Sequence, residues 1–482
     1  MDGVAGLFKA YDIRGRVPGE LSDDVVRLVG GAAVAVLGVH RQAGGPGAFV
    51  IGRDMRPSGA GFAAALAEGI TAAGVDVIDI GLASTDQCYY ASGALDLPAA
   101  MITASHNPAG YNGIKLARPG AAPVGEATGL REIRDRVLVA LADGRRVSAR
   151  SAQPGHLTNR DILADYVDCL HRLVPLSGLR PLRVVIDAGS GMAGLTAPAV
   201  FAGTPVTVAP LYFELDGTFP FHEANPIDST TLVDLQQRVV DLGADAGIAF
   251  DGDADRAFFV TESGELVNPS TVTALIAERE IAREPGATII HNLITSRRVP
   301  EVVTRAGGIP VRTRVGHSFI KEVMAQTGAV FGGEHSGHFY FREFWRADSG
   351  MLAACHVLAA LGQTPPGTPV SAVLADYACY PASGEINTAV DDAAAVLAEV
   401  RARYCRSGAP ASAGSQGTAE PARCDDLDGL TVETATWRFN VRPSNTEPLL
   451  RLNVEADDQA TLERVRDEVL GLIRGGTTRQ ER

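Results

Sequence analysis

Short apolar runs alternate with longer stretches of helical periodicity through most of the chain, and nearly every apolar run ends in a Gly-, Asp- or Asn-rich loop. Val25–Val39 repeats apolar residues at helical spacing. Ala48–Gly52 is a continuous apolar run that ends at Arg53-Asp54 and predicts a buried strand. Pro57 opens a helix that runs through Ala73, and Val75–Ile80 and Ala99–Thr103 predict two more strands. A charged amphipathic helix over Glu126–Leu141 closes this first unit. A Pro/Gly/polar stretch, Ser148–Asn159, reads as a linker.

Two further units repeat the theme. Asp161–Leu173 and Leu232–Leu242 predict helices around strands at Leu182–Asp187, Pro205–Leu211 and Asp245–Phe250. Thr273–Arg283 and His317–Ala325 predict helices around strands at Ala287–Leu293 and Ile309–Arg314, and Asp348–Leu361 closes that unit. Strands alternating with helices predict α/β domains. The last stretch differs: helices at Ala393–Tyr404 and Asp458–Ile473 enclose strand-like runs at Ala435–Val441 and Leu449–Glu455, with no βαβ alternation, which predicts an α+β domain. Ser407–Ala422 is almost wholly small and polar and reads as a surface loop. The 482 residues exceed one core and suggest about three or four domains. The expected boundaries are 1–150, 151–258, 259–370 and 371–482.

Composition narrows the classes. Lys and Arg number 43 against 57 Asp and Glu, a formal charge of −14, so no basic face invites nucleic acid. Six cysteines without a CxxC argue against a disulfide framework and a zinc site, and suit a reducing, cytoplasmic setting. The N-terminus carries no sustained apolar segment, and Gly30–Val39 is too short to span a bilayer, so neither a signal peptide nor a membrane span is expected. Oligomeric state is not readable from the sequence.

The chemistry sits in the loops. Thr103-Ala-Ser-His-Asn-Pro108 holds Ser105 at a strand-to-loop corner, with His106 beside it and Lys115 on the strand that follows the Asn112-Gly113 turn. That arrangement suits either a nucleophile or a serine that merely satisfies a turn. Asp251-Gly-Asp-Ala-Asp-Arg256 places Asp251, Asp253 and Asp255 on one side of an extended segment, where three carboxylates repel unless a divalent cation, naturally Mg²⁺, lies among them. Glu262 completes an EF-hand count, but Arg256 stands where that loop needs Gly and the flanks read as strands. Gly189-Ser-Gly-Met-Ala-Gly194 follows a strand as a formal GxGxxG, with Glu214 and Asp216 near the place of a ribose-binding acid; this opens a dinucleotide-dependent oxidoreductase as an alternative. Gly333-Glu-His-Ser-Gly-His338 supplies a carboxylate, a hydroxyl and two imidazoles suited to sugar hydroxyls. Arg442-Pro-Ser-Asn-Thr446 is by inventory either a phosphate cradle or a hairpin loop with a solvated Arg.

Taken together and in this order, Lys9-Ala-Tyr-Asp-Ile-Arg-Gly15, Thr103–Pro108, Asp251–Arg256, Gly333–His338 and Arg442–Thr446 resemble the α-D-phosphohexomutase superfamily, within it the bacterial phosphomannomutase/phosphoglucomutase group. The resemblance covers nearly the whole chain. It implies three α/β mixed-sheet domains and a C-terminal α+β domain around a central cleft. It also implies a phosphoserine at Ser105, and Mg²⁺ held by Asp251, Asp253, Asp255 and a phosphoserine oxygen. Glu334, Ser336 and His338 would read the sugar; Arg442, Ser444, Asn445 and Thr446 would grip the phosphate that does not react. Tyr11, Arg14, His106, Lys115, Arg256 and His317 would line the cleft, with Lys115 a candidate base. The implied reaction interconverts hexose 1- and 6-phosphates through a hexose 1,6-bisphosphate, with mannose first, glucose also open, and a phosphoglucosamine mutase as the alternative. Two features depart from the group's pattern: Arg314 stands where a lysine is expected, and Cys405–Asp425 is longer than the family needs.

Overall fold

The computed structural model describes residues 2–39, 47–144, 151–405, 422–444 and 449–475. Four sheets follow one another along the chain. The first orders its strands Ile13–Arg16, Tyr111–Arg118, Ala99–Ile102, Ala48–Arg53, Asp76–Leu82 and Leu157–Asn159. Its last four strands are parallel; Tyr111–Arg118 and Ile13–Arg16 run antiparallel at one side. The edge strand Leu157–Asn159 lies in the stretch read as a linker: its Thr158 pairs with Ile78, so that polar passage is partly built into the first sheet.

The second sheet sets Ala246–Phe250, Leu182–Asp187 and Val206–Leu211 in parallel and continues into the antiparallel strands Ala257–Val260 and Leu266–Val267. The third orders Ile309–Thr313, Thr288–Asn292, Phe331–Gly333, Phe339–Phe341 and Ala347–Asp348, also mixed. Strands covered on both faces must be apolar throughout, and Ala99–Ile102, Ala246–Phe250 and Ala257–Val260 are buried at every position. The fourth sheet, Ala382–Ala389, Leu449–Ala456, Trp437–Pro443, Leu430–Glu433 and Arg423–Asp425, is antiparallel and flanked by the helices Ala393–Tyr404 and Gln459–Gly475. The expected α/β, α/β, α/β and α+β series is thus what the chain forms.

Side-chain alternation divides the first sheet. Phe49 and Ile51 face a core with the helices Asp23–Leu37 and Gly59–Ala72. Val50 and Met101 face a second core that continues without a break through Val184, Ile248, Phe331 and Leu358 of the next two sheets and their helices. The first three units therefore share apolar packing. The helix Thr85–Leu95, which the apolar pattern did not predict, lies at their junction: Ser84 and Gln87 form its capping box, and Trp345 packs edge-on against its Tyr90.

The fourth unit has its own core around Val400, Phe439, Leu452 and Val469. It meets the third unit through polar groups. Arg438 Nε donates to Glu455 Oε2 at 2.6 Å; Ser296 Oγ also donates to Glu455, and Arg438 donates to the Thr295 carbonyl. Arg312 pairs with Asp425 at 2.5 Å. Cys405 and Cys424 form a disulfide, against the expectation of unpaired thiols. The end of the helix Ala393–Tyr404 and the start of the strand Arg423–Asp425 bring the two together, a proximity that spacing without a CxxC could not reveal. The small-residue stretch between them lies outside the described residues apart from Ala422. Among the described residues, no helix is long and apolar enough to cross a membrane.

Candidate active site

Ser105 follows the buried strand Ala99–Ile102, and its backbone takes the left-handed conformation, φ +49°. Its N–H donates to Thr103 Oγ1 at 2.8 Å. Its hydroxyl leaves the first unit and donates to Asp251 Oδ2 at 2.8 Å, with His106 Nδ1 at 3.2 Å. Lys115 reaches across the same junction from the neighbouring strand, its Nζ 2.7 Å from Asp253 Oδ2 and 2.6 Å from Asp255 Oδ2. Thr85, at the first turn of the unpredicted helix, adds an N–H to the Asp253 carbonyl at 2.9 Å and a hydroxyl to Asp253 Oδ2 at 2.5 Å.

Asp251, Asp253 and Asp255 are fully buried, and one oxygen from each lies within 4.8 Å of the others. Burial and the charges of Asp255 and Asp253 push Asp251 well above the usual carboxylate range. Burial pushes Asp253 the same way, but the Lys115 ammonium and the hydroxyls of Thr85 and Ser105 outweigh it and hold Asp253 low. Asp253 Oδ1 and Asp255 Oδ1 are buried with no hydrogen-bond partner among the described residues. Hard, clustered and partly unsatisfied oxygens fit a divalent cation.

The other predicted residues surround this centre. Arg256 sits with Nε 3.8 Å from Asp251 Oδ2, and its backbone pairs with that of His338, which joins the acidic loop to the sugar loop. The charge of Arg256, then burial, then Arg14 pull His106 down to about 2, so its imidazole is neutral. Burial works against the charge on Lys115, yet Asp253 and Asp255 push its pKa well above the ordinary value. Arg14 donates to Asn107 and pairs with Asp12 at 2.5 Å, bracing the serine loop. Tyr11 and Arg314 line a cavity of about 880 Å³ between the first and third units, with the Arg314 guanidinium over the Phe319 ring at 4.8 Å.

Glu334 accepts from Asn292 Nδ2 at 3.1 Å and Tyr340 Oη at 2.7 Å, with Ser336 Oγ at 3.5 Å. Burial would raise Glu334, but the His338 imidazole and Tyr340 hydroxyl hold it low, as an ionised acceptor. His338 Nδ1 lies 2.8 Å from Asp348 Oδ2 and 3.8 Å from Asp255 Oδ1. In the fourth unit, Glu385 holds Arg442 Nη2 at 2.5 Å, while buried Arg442 Nη1 has no partner among the described residues. Ser444 N donates to the Leu449 carbonyl at 2.9 Å. Asn445 and Thr446 lie outside the described residues, as does the side chain of His317, whose backbone opens the helix His317–Thr327.

Residues that the sequence did not single out complete the centre: Thr85, Asn292, Tyr340 and the buried pair of Lys321 and Asp348, with Nζ 2.7 Å from Oδ1. A readable signal existed only for Thr85, which follows Ser84 of the capping box.

The GxGxxG loop has a different use. A Cβ on Gly194 would come within 2.2 Å of the Phe213 carbonyl oxygen, and one on Gly191 within 2.7 Å of that of Gly252. Its N–H groups are spent internally: Ser190 donates to Tyr212, Gly191 to Ala188, and Met192 to the Gly252 carbonyl in the acidic loop. The glycines allow close packing behind Asp251–Arg256 and leave those donors unavailable to a pyrophosphate.

Comparison with known proteins agrees with this arrangement. Family models for phosphoglucomutase/phosphomannomutase match the chain in four parts: alpha/beta/alpha domain I at 5–140, domain II at 164–264, domain III at 268–380 and the C-terminal domain at 385–472. The chain belongs to the phosphoglucomutase/phosphomannomutase family. It is 40% identical over 471 residues to a protein of Xanthomonas campestris described as "Phosphohexose mutases", covering 97% of this chain and 99% of that one. It is 39% identical over 477 residues to a phosphomannomutase of Escherichia coli, again covering 97% and 99%. The crystal structure of a phosphoglucomutase/phosphomannomutase family protein from Burkholderia thailandensis superposes with a TM-score of 0.84 at 31% identity, covering 98% of this chain and 99% of that one. The protein is therefore an intramolecular phosphotransferase of hexose phosphates, an isomerase by class, and the oxidoreductase alternative falls away.

Proposed function

We propose that this phosphohexomutase works through phosphorylated Ser105 and a bound hexose 1,6-bisphosphate, with mannose phosphates favoured. The observation that carries the reading is the 2.8 Å bond from Ser105 Oγ to Asp251, at the edge of a carboxylate cluster two of whose buried oxygens have no hydrogen-bond partner among the described residues. Asp251, Asp253 and Asp255 would hold Mg²⁺. When bound, that ion supplies charge neutralisation for the transferring phosphoryl oxygens.

The chain's own residues do the rest. In the first transfer the Oγ–P bond of phospho-Ser105 breaks and a bond from the sugar hydroxyl oxygen to phosphorus forms; the proton lost by the sugar hydroxyl is, in the net balance, the one gained by the Ser105 oxygen, which ends as a hydroxyl. After the bisphosphate turns around, the reverse transfer from its other end restores phospho-Ser105. Arg256 and Lys115, both cations here, face the developing charge. Neutral His106 can hold a hydrogen bond to Oγ through Nδ1 without repelling the neighbouring cations. Glu334, held ionised, accepts from sugar hydroxyls, and Arg442 Nη1, a buried donor with no partner among the described residues, suits the phosphate that does not react. Holding both ends makes each transfer effectively intramolecular.

If Glu334 and Ser336 read the O3 and O4 hydroxyls, they do not test C2, where mannose and glucose differ, and glucose phosphates are then expected to be accepted as well. The phosphomannomutases among the relatives favour mannose. Measuring kcat/KM for mannose 1-phosphate and glucose 1-phosphate tests this: a higher value for mannose supports the reading, and turnover of glucosamine phosphate in preference to both would overturn it.

A further inference from the structure

One buried cation near the serine touches neither the acidic cluster nor the cleft. Arg56 follows the strand Ala48–Arg53 and is 3% exposed. Its guanidinium donates to four backbone carbonyls, three in the serine loop and one at the start of the strand that follows it. Nη1 reaches Pro108 at 2.9 Å and Tyr111 at 2.8 Å; Nη2 reaches Ser105 at 2.8 Å and Asn107 at 2.6 Å. Asp54 fixes Arg56 in turn, with Oδ1 accepting from its N–H at 3.0 Å and Oδ2 3.3 Å from Nε.

The Ser105 and Asn107 carbonyls lie in a segment without a strand partner. The segment between the strands Ala99–Ile102 and Tyr111–Arg118 is broken by Pro108 and has no ladder to join. Ser105 is held at positive φ, where a residue with a Cβ stays only if its surroundings over-determine it. A planar fork with donors on both terminal nitrogens can satisfy four carbonyls at once, whereas a lysine ammonium has three donors at one point.

The second unit seals the clamp. The Phe219 ring covers the guanidinium at 5.1 Å, and Gly217 packs so closely on the Arg56 backbone that a Cβ would lie 2.5 Å from its Cα. The direction of the Ser105 hydroxyl is therefore tied to the seating of the unit that carries Asp251.

We propose that Arg56 is the positioning residue of phosphoryl transfer: by fixing the Ser105 carbonyl it aims Oγ, and the phosphoryl group on it, at the acidic loop and away from water. This rests on phospho-Ser105 as read above. Arg56 is buried and turned to the serine loop and Asp54, so the affinity for hexose phosphate, assigned above to the Glu334 and Arg442 loops, is expected to be independent of it. Loss of the clamp lets the phosphoserine turn toward solvent, slowing transfer to sugar and exposing the Oγ–P bond to attack by water, which yields free phosphate and the serine hydroxyl.

The test compares wild type with Arg56→Lys and Phe219→Leu. Steady-state assays give kcat and KM, mass spectrometry of the Ser105 peptide gives its phosphorylation, and phosphate release without sugar gives the hydrolysis rate of the phosphoenzyme. Arg56→Lys is expected to lower kcat on the order of 10²-fold, the scale of a 1 Å misplacement. KM is expected to stay unchanged and hydrolysis to rise. Phe219→Leu, which keeps the guanidinium but removes its cover, is expected to move kcat and hydrolysis in the same directions by less; it decides the matter if the lysine variant does not fold. Wild-type kcat and hydrolysis in Phe219→Leu, or in a folded Arg56→Lys, overturn the inference, as does a rise in KM at unchanged kcat. A wild-type enzyme that turns over with no phosphoryl group on Ser105 instead overturns the reading of the site itself.

Discussion

Replacing Lys115 by Met perturbs the balance of charge on which the acidic centre depends. Its ammonium touches Asp253 and Asp255 at 2.7 and 2.6 Å, and both carboxylates are buried. Removing one partner of a buried ion pair leaves an uncompensated charge and costs about 3–5 kcal/mol. The small value of an exposed surface pair does not apply to carboxylates cut off from water. A dication among the three carboxylates offsets the loss: at about 100 times its dissociation constant it returns about 2.7 kcal/mol. Lys115→Met is therefore expected to unfold at lower urea in chelator than wild type, and to recover most of the difference in magnesium. Wild type should gain less, because its own ammonium already neutralises the same carboxylates. Urea titrations of both proteins, with chelator, with magnesium and with sodium chloride of equal ionic strength, make the comparison. Equal gains from magnesium in the two proteins, or a gain reproduced by sodium chloride, would refute the reasoning.

Three other outcomes follow from particular contacts. Arg438→Met leaves Glu455 buried without its cation, and should loosen the fourth unit by about 3–5 kcal/mol and lower kcat/KM, because Arg442 travels with that unit; small-angle scattering unchanged from wild type would contradict this. Gly194→Ala drives a Cβ toward the Phe213 carbonyl and should destabilise the second unit while leaving NAD(H) binding absent in mutant and wild type alike, as equilibrium dialysis would show. His291, which burial and then the charges of Arg438 and Arg312 pull down to about 4, takes up its proton in the unfolded chain first. Its neutral form thus contributes stability above pH 6.5 that is lost as pH falls toward 4, about 3 kcal/mol in all. His291→Gln should flatten that part of the urea-measured stability curve, and an unchanged slope between pH 6.5 and 4 would count against it.

What could be read in the sequence was local. Ser105, the three alternating Asp residues and Glu334 lie in contiguous loops whose glycines and charges mark them without reference to the fold. The strands behind them are legible because burial on both faces makes them apolar at every position, as in Ala246–Phe250. What could not be read depends on contacts between units. The helix Thr85–Leu95 is buried by neighbours on several sides and shows no single apolar stripe, so only its capping box announced it. Arg56, Lys321 and Asp348 look like ordinary charged residues until the fold buries them, and the Cys405–Cys424 bond needs a helix end and an edge strand to meet. In the fourth unit the strand Ala382–Ala389 went unread because it lies at a sheet edge, half exposed and interrupted by Gly384. The GxGxxG loop misled for the converse reason: glycines needed for packing make the same pattern as glycines needed for a phosphate.

The central claim is that Ser105 carries the phosphoryl group between the two ends of the sugar. Its most direct test is a single-turnover experiment in which enzyme phosphorylated on Ser105 with labelled phosphate is mixed with one equivalent of mannose 1-phosphate. The account predicts that the label leaves the Ser105 peptide and appears first in mannose 1,6-bisphosphate and then in mannose 6-phosphate, with Ser105→Ala inactive. Label that stays on Ser105 while mannose 6-phosphate forms, or an active Ser105→Ala enzyme, would contradict it.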